Sequence, residues 1–345
     1  MNDGDILLLK GEGIIDLLTG RELELMDVVG QAYVSHARGD SSLPHSQFLS
    51  FAGEPLNRII ALPAFLGDGF NLAGLKWVAS FPANREKGFD RASAVLILNS
   101  HQTGRPLSIL EGSIISAKRT AASGALAARC LTNGLKVTHA SFVGCGFINF
   151  EMARFLLASF PSLSQFYIYD NEAKNAQLFK EKCRELSDNV EVTCLADVNE
   201  LLSRGGLISF ATTAVKPFIE TLDNCPQGST ILDISLRDFT PEAILSCDNV
   251  VDDVDHVCRA QTSVHLAAQL VGNSDFISFT LADLLAAKVA GRPSEKTVVF
   301  SPFGLGVLDL AVGKLVYELA LERRHGTVIS SFLPRAWTER KDNGR

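Results

Sequence analysis

The segment that most restricts the fold is Ser141-Phe142-Val143-Gly144-Cys145-Gly146-Phe147-Ile148-Asn149. An apolar run ends in two glycines one residue apart, and a helical pattern starts at once. That order predicts a tight strand-turn-helix, because glycine accepts backbone angles that a Cβ forbids and lets other backbone come close. The surrounding text keeps the alternation. Strands are predicted at Val137–Val143, Gln165–Tyr169, Val190–Cys194, Leu207–Ala211 and Thr230–Ile234, with helices at Phe147–Phe160, Asn171–Leu186 and Val198–Ser203. Strands alternating with helices mean βαβ units and a parallel sheet, a Rossmann unit in an α/β protein.

In such a unit the amides of the turn and the positive end of the following helix hold a pyrophosphate. The residues placed for this are Gly144, Cys145, Gly146, Phe147 and Ile148. Asn149 stands where the dinucleotide motif carries a third Gly or Ala, so the turn alone is a weak signal. The second strand ends in Tyr167-Ile168-Tyr169-Asp170, an acid about 20 residues further on, where ribose hydroxyls are gripped. An acid there repels a 2′-phosphate and predicts NAD as the cofactor. Thr212 and Thr213, after the fourth strand, fall at the carboxyl edge where ligands of open sheets bind; the competing reading is simple turn chemistry.

At 345 residues the chain exceeds one core, so two domains are expected. The predicted boundaries are 1–132 with 305–345 for a discontinuous α+β domain, and 133–304 for the Rossmann domain. The first contains a helical run at Leu17–Arg38, a loop at Gly39–His45 and strands at Arg58–Leu62, Leu72–Ser80 and Ala92–Asn99. From Arg105 to Leu131 the pattern reads as helical, stopping at Asn133-Gly134. After Asp255 it is again helical. The turn Phe303-Gly304-Leu305-Gly306 then leads into a helix, Val307–Leu321, that returns to the first domain.

A net charge of −7 argues against a nucleic-acid partner, which requires a basic face. The basic stretch Glu322–His325 and the tail from Arg335 read as a solvated end. The acidic start Met1-Asn2-Asp3-Gly4-Asp5 lacks the layout of a signal peptide, and no apolar run nears the ~18 residues that span a bilayer. The seven cysteines are scattered without C-x-x-C spacing, which suits reduced thiols in the cytoplasm, and neither they nor the histidines show metal-ligand spacing. No metal is expected.

Three further residues carry chemistry. Lys76, in the apolar strand Gly74-Leu75-Lys76-Trp77-Val78, is expected to point into a cleft, where desolvation suits a lysine to acid/base work. The competing reading is a snorkelling surface lysine. Arg119, before Thr120-Ala121-Ala122 in an apolar helical run, suits a bidentate grip on a carboxylate. Asp238 follows the fifth strand in Ser235-Leu236-Arg237-Asp238, where a carboxylate can deprotonate an amine or activate water. Its competing reading is a turn with a surface ion pair to Arg237.

With these motifs in hand, the chain resembles the ornithine cyclodeaminase/mu-crystallin family across nearly its whole length. Gly74-Leu75-Lys76-Trp77, Arg119-Thr120-Ala121-Ala122, Val143-Gly144-Cys145-Gly146, Asp238, and Phe303-Gly304 followed by Asp309 carry the likeness. The resemblance implies a substrate-binding and dimerisation domain, an NAD(P) Rossmann domain and a homodimer. It implies that Lys76 and Arg119 bind a small amino-acid-like substrate and that Asp238 is the catalytic acid/base, with Lys76 also in the catalytic set. Thr120, Ser235, Leu236, Phe303 and Gly304 join the cofactor set.

Phe239-Thr240-Pro241-Glu242 follows Asp238 where ornithine cyclodeaminases carry Pro-Gly-Lys, and Arg91-Ala92-Ser93 precedes Val95-Leu96-Ile97-Leu98-Asn99. That block is similar to the N-((2S)-2-amino-2-carboxyethyl)-L-glutamate dehydrogenase branch, which makes 2,3-diaminopropionate for siderophores and antibiotics. It implies NAD-dependent oxidative hydrolysis of a substrate with three carboxylates, for which Lys76, Arg91 and Arg119 are the cations. Ornithine cyclodeamination, alanine dehydrogenation and non-catalytic ligand binding of the mu-crystallin type are the alternatives.

Overall fold

The computed structural model describes residues 4–132 and 134–339. The first three residues of the acidic start, the helix stop at Asn133 and the tail beyond Glu339 lie outside the described residues. Two compact units emerge. One comprises residues 1–20, 39–116 and 306–345; the other comprises 21–38 and 117–305.

The first unit is built on a mixed sheet. Its strands are β1 (Ile6–Leu9), β2 (Ser41–Ser42), β3 (Gln47–Phe51), β4 (Glu54–Leu66), β5 (Leu72–Ser80), β6 (Ala92–Ser100) and β7 (Pro106–Glu111), with a last strand at Thr327–Ile329. From that last strand the order runs through β1, β7, β6, β5 and β4 to β2, while β3 also pairs with β4. Residues 106–111, expected as helix, are therefore strand. Pro106-Leu107-Ser108-Ile109-Leu110-Glu111 alternates, with Ser108 and Leu110 buried, and pairs with β6 and β1. Tertiary pairing decides here, because a run of only six residues fits either period.

Alternation along β5 assigns the two faces of this sheet. Lys76, opposite Leu62 and Leu96, points to the face covered by the helix Gly306–Glu322. Trp77, opposite Ala61 and Val95, points the other way and is exposed. Glycines let that helix settle closely. A Cβ on Gly74 would stand 2.6 Å from Leu310 Cδ2, and one on Gly313 would stand 2.6 Å from Leu96 Cδ2.

The second unit is a parallel sheet. Its strands are β8 (His139–Val143), β9 (Gln165–Tyr169), β10 (Glu191–Cys194), β11 (Leu207–Phe210), β12 (Thr230–Asp233), β13 (Asp248–Val251), β14 (Ile277–Thr280) and β15 (Val298–Ser301). They lie in the order β10-β9-β8-β11-β12-β15-β13-β14, and every pairing is parallel. Strands β8, β11, β12 and β15 are buried almost throughout, as a sheet covered on both faces requires. β13, β14 and β15 extend the series past Ile234, where the sequence reading ended it. They are four residues each, too short to show a period.

The Leu17–Arg38 run is two helices, Gly11–Leu18 and Glu22–Ala37, parted at Gly20, whose φ is +74°. The second of these, with the later part of the helix Gly112–Leu131, groups with the parallel-sheet unit. The sequence boundaries place both stretches in the first domain. Glu22–Ala37 packs on Phe147–Ser159 and Leu281–Leu285, and its buried Tyr33 hydroxyl bonds Ser123 Oγ at 2.7 Å. The Ala-rich stretch Ala121–Ala128 is buried, and a Cβ on Gly124 would collide with Met152 Cε at 2.3 Å. Small residues there bring helix against helix.

Candidate active site

Strand order reverses about β8, with β9 and β10 on one side and β11 and β12 on the other. The crevice beyond the carboxyl ends of β8 and β11 is thus the binding position of a doubly wound sheet. Gly144 leaves β8 at φ +88°, and a Cβ there would stand 2.5 Å from Ala211 O and 3.2 Å from Thr212 Cα. Only glycine fits so close to the end of β11. Gly146 caps the helix Phe147–Ser159 with extended backbone and no side-chain cap, which leaves the first-turn amides for an anion. The arrangement fits a dinucleotide pyrophosphate.

Asn149 has a structural task. Fully buried, it donates through Nδ2 to Val143 O at 2.9 Å and Gly144 O at 2.7 Å, and its Oδ1 accepts from Ser209 Oγ at 2.7 Å. The amide ties the turn to β11, which a third glycine could not do. Asp170 is half-buried at the end of β9. Its carboxylate accepts from Cys145 N at 2.7 Å, Glu172 N at 2.9 Å and Asn175 Nδ2 at 3.1 Å. It therefore holds the glycine turn from the side where an adenosine ribose belongs. Cys145 contributes backbone only; burial, with Asp170 nearby, pushes its thiol well above the ordinary range.

From the same crevice a polar chain runs inward. Thr212 Oγ1 donates to Asp238 Oδ1, and Ser235 Oγ donates to Asp238 Oδ2. Asp238 is wholly enclosed, so the surface ion-pair reading fails. Arg237 instead donates to the carbonyls of Ala260, at 2.6 Å, and Gln261, at 2.7 Å. Leu236 between them adopts φ +70°, a left-handed angle disfavoured for a residue with a Cβ. That turn aims Ser235 and Asp238 at one another. Thr213, by contrast, is exposed.

Asp233 and Asp252 were not singled out from the sequence. Asp233 ends the buried strand β12 close to Asp238; burial first, then the Asp238 charge, raises its pKa well above the carboxylate range. Asp252, one residue past β13, accepts from Phe303 N at 2.9 Å and Gly304 N at 2.8 Å. Burial pushes it up to about 6 against the pull of those amides. Gly304 sits at φ +91°, an angle that strains any residue with a Cβ, and a Cβ there would stand 2.8 Å from Arg119 Nη1. Arg119 is thus buried beside the Phe303-Gly304 turn, with Thr120 half-buried next to it. The sequence signal for both acids was an acid closing an apolar strand.

In the mixed-sheet unit, Lys76 is buried and donates to Asp309 Oδ2 at 2.7 Å and Ser116 Oγ at 3.1 Å. The snorkelling reading fails with it. Arg91, half-buried, has its pKa lowered first by burial and then by the charges of Arg85 and Arg58. Like charges held together in this way favour an anion among them. Among the described residues no group of three or more His, Cys, Asp or Glu is arranged to hold a metal ion, and no helix is long and apolar enough to cross a membrane.

Comparison with known proteins follows the same lines. The family model described as ornithine cyclodeaminase/mu-crystallin family matches residues 15–324. N-((2S)-2-amino-2-carboxyethyl)-L-glutamate dehydrogenase of Staphylococcus aureus is 26% identical over 315 residues, covering 89% of this chain and 93% of that protein. The structure of Thermococcus litoralis Delta(1)-pyrroline-2-carboxylate reductase with NADH and L-proline is similar at TM-score 0.84 and 25% identity, covering 93% of this chain and 99% of that one. An archaeal alanine dehydrogenase dimer with bound NAD matches at TM-score 0.81 and 26% identity, over 94% and 99% of the two chains.

Proposed function

Because the chain belongs to the ornithine cyclodeaminase/mu-crystallin family, we propose that it is an NAD-dependent oxidoreductase of amino-acid CH–NH bonds. We further propose oxidative hydrolysis of N-((2S)-2-amino-2-carboxyethyl)-L-glutamate to L-2,3-diaminopropionate and 2-oxoglutarate. The observation that carries the oxidoreductase reading is Asp238, hung between two hydroxyls at the crevice edge, one residue of which abuts the Gly144 turn. Likeness to the Staphylococcus aureus dehydrogenase supports the finer one.

The cofactor set is Gly144, Cys145, Gly146, Phe147, Ile148, Asp170, Thr120, Thr212, Thr213, Ser235, Leu236, Phe303 and Gly304. NAD held by these residues would supply the hydride acceptor for the glutamate Cα. Asp238 takes the amine proton through the hydroxyl of Thr212 or Ser235, since its own oxygens are enclosed. The resulting substrate imine adds water, and the carbinolamine breaks into amine and keto acid. One proton is released per turnover. The substrate brings three carboxylates, and Lys76, Arg91 and Arg119 are the cations assigned to them. The crowding of Arg58 and Arg85 on Arg91 supports a place for an anion there.

The mixed-sheet unit is the substrate-binding and dimerisation domain in this reading. Leu49, Trp77 and Val95 are exposed on the face turned away from Lys76, an apolar surface suited to a second copy in a homodimer. The protein acts in the cytoplasm, and its product feeds siderophore or antibiotic synthesis. Incubating the purified protein with NAD and each candidate amino acid decides the substrate. NADH absorbance together with 2,3-diaminopropionate from the conjugate alone is the expected result. Turnover of alanine in its place, or ornithine consumed without net NADH, overturns the specific reaction.

A further inference from the structure

Asp233 lies beyond anything the proposed reaction uses. It closes the buried strand Thr230-Ile231-Leu232 and is itself fully buried. Its Oδ2 accepts from Ser301 Oγ at 3.3 Å, the amide of Leu236 donates to the carboxyl, and its Oδ1 meets no hydrogen-bond donor. Asp238 lies against it from the following turn, and the buried Cys247 thiol is a further titratable group near it. Thr212 and Ser235 face Asp238, and both are neutral. Neither carboxyl is paired with Lys or Arg among the described residues. Two enclosed carboxyls in contact, held only by hydroxyls and one amide, cannot both be ionised.

We propose that Asp233 is a positioning residue that keeps a proton and donates it in a hydrogen bond to Asp238, so that the two carboxyls form a one-proton pair. The proposal rests on the reading of Asp238 as the proton acceptor. The otherwise donorless Asp233 Oδ1 is the atom with room for the proton. A hydrogen bond given to Asp238 favours its ionised form, offsetting enclosure, and fixes the carboxylate toward Thr212 and Ser235. The resting pair holds one proton, a substrate proton relayed through a hydroxyl brings it to two, and the proton released per turnover restores one.

Two substitutions and a spectrum test this. Asp233→Asn supplies an N–H donor in the same place, so kcat/KM stays within about threefold and the acid limb of its pH profile does not move. Asp233→Ala removes the donor and moves that limb up by about one pH unit, about tenfold in activity along the limb. The unsubstituted protein shows the infrared C=O stretch of a protonated, buried carboxyl at neutral pH, and Asp233→Asn loses it. An acid limb that falls by a unit or more in Asp233→Asn overturns the proposal, since that marks removal of an ionised neighbour. So does absence of the infrared band, which needs neither turnover nor a folded variant. If Asp238→Asn retains full turnover while the band persists, the catalytic reading fails and the proton pair stands.

Discussion

Each unit encloses an acid completely, and the two surround it differently. In the mixed-sheet unit Asp309 sits against the Lys76 ammonium at 2.7 Å, both buried. In the parallel-sheet unit Asp238 has two hydroxyls and a second carboxyl. Opposite charges cancel and lock a geometry. Hydroxyls satisfy the oxygens without supplying an opposite charge. The first arrangement suits a strut that fixes the Lys76 ammonium and the second suits the acid/base role proposed for Asp238, although each reads in the sequence as one charged residue in apolar text.

The contrast can be broken most severely at Asp238. Asp238→Asn is expected to lower kcat by about 10²–10⁴-fold with NAD affinity unchanged, read by steady-state kinetics beside a fluorescence titration. Next comes Lys76→Met, which leaves Asp309 buried without its ammonium. Urea unfolding should show a loss of about 3 kcal/mol, and a loss near zero would mean that the pair is no strut.

Asp252 sharpens the same point through pH. Its folded pKa of about 6 lies above the ordinary 3.8, so the folded state holds the proton more tightly than the unfolded chain. This contribution to stability is present below about pH 4 and is lost as pH rises to about 6, about 3 kcal/mol in all. Denaturant midpoints across that window should fall with pH, and Asp252→Asn should flatten the fall. The smallest effect is expected at Asp170. Asp170→Ala should raise the KM for NAD about tenfold while that for NADP changes little. An unchanged ratio would leave Asp170 only its task of holding the Cys145 amide.

Legibility followed the range of the interactions. Gly144 was readable because its constraint is local: an apolar strand ends, a helix begins and a Cβ would strike β11. Lys76 was half readable, since its apolar neighbours in β5 pointed it inward but could not supply Asp309, 233 residues away. Residues 106–111 were misread because so short a run satisfies either period until β1 and β6 pair with it. Asn149 counted against the dinucleotide motif until its bonds to Val143, Gly144 and Ser209 explained it.

By itself the sequence determined a βαβ alternation, a glycine turn at its head and an acid after the second strand, because periodicity and steric exclusion act over a few residues. Only the tertiary structure decided that Asp238 is enclosed, that Asp233 stands against it and that Asp252 braces Gly304 beside Arg119. Those facts depend on which strands lie side by side. Burial and pairing of charge are set by neighbours distant in the chain, and no local pattern records them.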